Sequence, residues 1–143
     1  MGTWGVGPFD NDTAADWCGE LADAAPAQRA ALIRDALRRV AETGDEYLDS
    51  DDAVEAIAAA AVVASQLPGG TPIDTPYAPD FVQQGGTVEV ADDIGAIGVR
   101  ALDRIVAERS EWRALWEEAG ELYPQALASV QSIRAVLDEA SSR

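Results

Sequence analysis

The chain has 143 residues, 48% of them apolar, enough to bury one core without metals or disulfides, so a single domain over 1–143 is expected. Its 26 acidic and 10 basic residues leave a formal charge of −16, a field that repels phosphate and argues against direct binding to nucleic acid or anionic membranes. A lone Cys18 with no His excludes an internal disulfide and a Cys/His dyad and argues against a transition-metal site; with no secretory leader and no apolar run of the roughly 20 residues that cross a bilayer, the expected setting is the cytoplasm.

The opening MGTWGVGPFDN, with three glycines and a proline, predicts an extended, turning segment whose Trp4 and Phe9 plug into the core. Asn11 or Asp10 then caps a helix over Asp12 to Ala24, with Ala14, Trp17, Cys18 and Leu21 on one apolar stripe. Pro26 suits the first turn of a second helix and Gly44 ends it. One face carries Ile33, Ala36, Leu37, Val40 and Ala41, the other Arg34, Asp35, Arg38, Arg39 and Glu42. This is the one segment with a positive balance.

Ser50 is the expected cap of a third helix, Asp51 to Leu67, stopped by Pro68, Gly69 and Gly70. Because Ala56 to Ala64 is apolar on all sides, that helix is expected at the centre of the fold. The stretch from 68 to 90 holds Pro68, Pro72, Pro76, Pro79 and two Gly-Gly pairs, and reads as a long loop. Tyr77, Phe81 and Val82 are expected to pin it, with Thr87 to Val90 as a short extended piece.

A fourth helix is predicted over Asp92 to Glu108, with Ile94, Ile97, Ala101, Leu102 and Ile105 inward. Gly95 and Gly98 each cost about 1 kcal/mol there relative to Ala, which close packing on the Ala-rich third helix is expected to offset. Ser110 begins a short fifth helix lined by Trp112, Leu115, Trp116 and Ala119 and closed by Gly120. Pro124 opens a sixth, through Ala140, with Ala126, Val130, Ile133 and Leu137 inward. The pattern is all-α: an irregular bundle of five or six helices, with an extended N-terminal segment and a long Pro/Gly-rich loop.

Two carboxylate clusters invite a test for chemistry, DNDTAAD at 10–16 and DEYLDSDD at 45–52. Neither fits a calcium loop. Starting at Asp10 requires Gly at Ala15 and Glu at Leu21, and starting at Asp45 puts Ser50 where Gly belongs. Phosphate-cradling glycine patterns are absent, since GTWGVG at 2–7 has the wrong spacing. No catalytic constellation emerges and no cofactor is expected. Trp112 and Trp116 are expected in the core and not on a binding stripe.

The opening MGTWGVGPFDNDTAADW resembles the start of a bacterial family known as domain of unknown function 4259, in which a Trp-Gly, a Gly-Pro-Phe and an Asn-Asp-x-Ala-x-Asp recur. YLDSDDAVEAIAAAAVVA at 47–64 is similar to its acidic lead into an Ala-rich helix, and SEWRALWEEAGE at 110–121 to its Ser-x-x-x-x-Leu-Trp pattern. The resemblance implies no activity and brings no catalytic or ligand-binding residues.

The expected function is that of an acidic interaction protein, immunity- or antitoxin-like, that covers a basic protein partner. Asp45, Glu46, Asp49, Asp51 and Asp52 form its densest acidic patch. One alternative is a carboxylate-based small-ligand binder or magnesium-binding enzyme, in which Asp10, Asp12 and Asp16 converge with the 45–52 cluster. The other is a structural or regulatory module without a ligand. The sequence assigns no oligomeric state.

Overall fold

A computed structural model describes residues 7–70 and 93–141. Within them the chain forms helices α1 (Asp12–Asp23), α2 (Pro26–Ala41), α3 (Ser50–Ser65), α4 (Ile94–Val106), α5 (Glu111–Ala119) and α6 (Tyr123–Ser141), with no strand. The all-α expectation holds, with six helices among the described residues. Trp4 and the part of the Pro/Gly-rich loop from 71 to 90, with Tyr77, Phe81, Val82 and the piece at 87–90, lie outside the described residues. None of the described helices is long and apolar enough to cross a membrane.

Side chains set the starts of α1, α3 and α5. The Asn11 side chain accepts from the Ala14 N–H at 2.8 Å, and Ser110 accepts from the Arg113 N–H at 3.3 Å, each satisfying an amide that the first turn leaves open. The cap of α3 differs from expectation. Asp49, in extended backbone, accepts from the Asp51 N–H at 2.7 Å, and Ser50 is already helical. Both residue types cap well; here the Ser50 N–H is taken by Glu111 Oε1 at 2.9 Å, which fixes the entry one residue earlier.

The ends are tied too. Arg29 of α2 reaches back to the last turn of α1, donating to the carbonyls of Leu21 (3.2 Å) and Ala22 (2.9 Å). Gly120 closes α5 at φ 76, a left-handed position that a side chain would strain. The second helix stops at Ala41, before the predicted Gly44, which turns the chain three residues later at φ 64.

At the centre lies α3. Ala is the best helix former, and a run of it leaves a thin rod that other helices approach closely. Every residue from Ala56 to Ala64 is buried, and α3 touches each of the other five described helices. The central position predicted from an all-apolar circumference is therefore what the chain adopts.

Helix α4 packs mainly between α2 and α6. Gly98 is where it comes closest: a Cβ there would lie 2.7 Å from Leu137 Cδ1 of α6 and 3.9 Å from Leu37 Cδ1 of α2. The glycine makes room for leucines of those two helices, not for the alanines of α3 as expected, because α3 is slim enough to need no such notch. Ile97 is only partly buried, as is Ile133.

The short α5 lies over α3, α4 and α6. Trp112 is buried at its root and Trp116 half-buried, their rings tilted at 58° with centroids 6.4 Å apart. Leu115 and Ala119, expected inward, are exposed. A nine-residue helix lying on one side of a bundle buries only a narrow stripe, and the large indoles fill it.

Candidate functional site

The segment between α2 and α3 carries the acidic cluster, and its backbone is held from a distance. Arg104, in the last turn of α4, points its guanidinium into this loop. Nε donates to the Gly44 carbonyl at 3.0 Å, one terminal nitrogen to those of Glu46 (2.5 Å) and Arg109 (3.0 Å), and the other to that of Glu108 (3.0 Å). Beside this clamp, Leu48 pairs with Ser110 in a single parallel bridge. The Leu48 N–H donates to the Arg109 carbonyl at 2.8 Å and its own carbonyl accepts from Glu111 N–H at 2.9 Å. The Leu48 side chain is buried in the core.

These bonds bend Arg109 into the left-handed region at φ 62, where a bulky side chain costs about 1 kcal/mol. Its carbonyl is held there by both Arg104 and Leu48. Arg104→Ala is expected to remove about 1–2 kcal/mol of stability, because four carbonyls at the rim revert to water. Arg104→Lys should not rescue it, since a point ammonium cannot span the set. Urea unfolding together with faster exchange of the Leu48 amide would show this; unchanged exchange would mean that the clamp does not order the loop.

The five candidate acids divide by role. Asp49 caps α3, the Asp51 carboxylate accepts from Thr13 Oγ1 of α1 at 3.3 Å, and Asp52 lies 3.7 Å from Arg39. Asp45 and Glu46 are exposed, and neither carboxylate has a partner among the described residues. Glu55, one turn beyond Asp52, pairs with Arg39 at 3.3 Å. Its carboxyl is nevertheless raised above the usual range, first by partial burial and then by Asp52, Glu20 and Asp51, which together outweigh Arg39.

The positive balance of α2 is spent inside the molecule. Arg34 forms a two-pronged pair with Asp93 at 2.7 and 2.8 Å, Arg38 meets Glu42 at 3.2 Å, and Arg39 meets the acids of α3. Arg134 likewise grips Asp103 across α6 and α4 at 2.6 and 3.2 Å. Exposed pairs of this kind contribute little to stability. Their effect is to remove cations from the surface field.

Asp10, Asp12 and Asp16 do not join the loop acids around a concave site. Asp10 folds back to accept from the Gly7 N–H at 3.0 Å, while Asp12 and Asp16 are exposed on α1. Among the described residues no three acids, Cys or His are placed to hold a metal. Burial pushes the Cys18 thiol up to about 12, which keeps it protonated and unreactive.

An open cleft of about 230 Å³ adjoins the acidic loop, lined by Tyr47, Glu108, Arg109, Ser110, Arg113, Ala114 and Glu117. Tyr47 is 57% exposed. Arg113 is bound on one side to Glu117 at 3.0 Å and on the other to the Val106 carbonyl at 3.2 Å. Neither the clamp nor this cleft was apparent in the sequence. An Arg in the last turn of a helix signals a local cap, and nothing in its spacing says that it reaches a loop some sixty residues earlier.

A model of the family described as Domain of unknown function (DUF4259) matches residues 2–129. The chain belongs to that family. No curated protein and no solved structure matches it. The DUF4259 match takes in the acidic loop, Arg104 and the cleft, and stops within α6, so Arg134 and Leu137 lie beyond it. Of the motif residues, Asn11, Asp49 and Ser110 are helix caps, Phe9 is core and Trp116 packs partly against it, while Leu115 is exposed, so the resemblance rests mostly on residues that build the fold.

Proposed function

We propose that this DUF4259 protein is a non-catalytic binding module of the bacterial cytoplasm that docks a basic protein partner through the loop 44–52, in the manner of an immunity protein or antitoxin. One observation carries the reading. The loop's backbone is fastened to α4 and α5, while the Asp45 and Glu46 carboxylates stand in water with no partner among the described residues. A fixed pattern of uncompensated charge steers an opposite surface and sets its register without an ordering penalty on this side. The overall −16 adds long-range attraction for any cationic protein. A reducing compartment suits a single cysteine kept as a thiol.

Immobilised protein incubated with extract of its native host is the direct test. A partner should be retained at low salt and released as salt rises past the screening range, with a Debye length of roughly 10 Å at 0.1 M. The pair Asp45→Asn and Glu46→Gln touches no internal bond and should weaken retention several-fold. A protein held equally by this variant, or equally at high salt, would overturn the electrostatic reading.

A further inference from the structure

We infer that the cleft beside the acidic loop receives a single arginine side chain of the basic partner; this rests on the reading just given and assigns the contact. Among its lining residues is Tyr47, whose ring belongs to the most exposed of the large hydrophobic side chains among the described residues. The chain on both sides of that ring is immobilised, since the Glu46 carbonyl is held by Arg104 and both backbone groups of Leu48 are bonded across to 109–111. A large aromatic presented on a fastened backbone has little ordering left to lose on contact, which is what interface anchors have in common.

The charges around the ring select the occupant. Arg113 is neutralised by Glu117, and the Ser110 hydroxyl already accepts from the Arg113 amide. Glu108 has no side-chain partner among the described residues, and nor does Arg109, so the lining is balanced in itself. Asp45 and Glu46, which directly precede Tyr47 in the chain and lie outside the lining, add negative charge at the approach to the cleft and favour a cation, and an anion would approach against the field of the whole chain. About 230 Å³ lies below the roughly 300–1,000 Å³ of ordinary small-molecule pockets, so the space suits one side chain better than a free ligand. A guanidinium is flat, stacks on a tyrosine face and meets a carboxylate through paired N–H groups. A lysine ammonium is compact, strongly hydrated and does neither as well.

Two capped peptides of equal length and charge, KKRKK and KKKKK, separate this contact from simple attraction when titrated at one low salt concentration. The arginine peptide should bind about 3- to 5-fold more tightly, the range of an exposed cation–π contact. Tyr47→Leu should bring that ratio to one, chiefly by weakening KKRKK. Asp45→Asn with Glu46→Gln should weaken both peptides alike. Equal affinities in the wild type, or a preference that survives Tyr47→Leu, would overturn the cleft assignment while salt-sensitive binding of both peptides still supports the loop. If neither peptide binds, the cleft assignment falls, and host capture with the loop variant decides the loop by itself.

Discussion

A chain ending at Ser129, the last residue matched by the family model, is expected to lose about 5 kcal/mol or more of folding stability and to unfold without a cooperative transition. The reason is what the remainder of α6 covers. Val130 and Leu137 are buried almost completely, and Ile133 and Val136 pack partly against the core. Burial of each large aliphatic side chain contributes roughly 1.5–3 kcal/mol. Their loss also uncovers α4, whose Ala101, Leu102 and Ile105 are fully buried and whose Gly98 notch exists to receive Leu137. Since domains hold only about 5–15 kcal/mol in reserve, the shortened chain should be at or past its limit. Thermal unfolding followed by circular dichroism decides it. A sharp transition at the full-length midpoint would show that residues 130–141 contribute no part of the core.

Ala60→Leu is expected to cost roughly 3 kcal/mol, the upper end of overpacking penalties. Ala60 has no exposed surface, and its neighbours on α3 are buried on every side, so the added carbons have nowhere to turn. The same change at an exposed helical position such as Ala31 should lie within about 0.5 kcal/mol, which makes it the control. Urea midpoints of the two variants give the comparison directly. Near-equal midpoints would mean that α3 yields or lies nearer the surface than its burial implies.

Helix existence and order were readable along this chain because local signals agreed with one another. Pro26, Ser110 and Gly120 punctuate where their chemistry requires, and Ala56 to Ala64 lacks any polar face. Errors arose where two good candidates stood side by side, as with Asp49 and Ser50, or where geometry at a distance decided. Leu115 has the right spacing for the inner stripe of α5, yet the two indoles occupy that stripe and leave it outside. Gly98 announces a close approach without naming its visitor. The acids of 45–52 were legible as a cluster, but their division into caps, pairs and free carboxylates depended on Thr13, Arg39 and Arg104, none of them close in sequence.

The loop 44–48 owes its shape to residues about sixty positions further on, Arg104 and Glu111 among them. While the chain is still emerging or has come apart, those anchors are missing and the same acids are merely a string of charges. A partner that docks there as proposed would meet that arrangement only on finished molecules, so its recognition would double as a check that folding is complete.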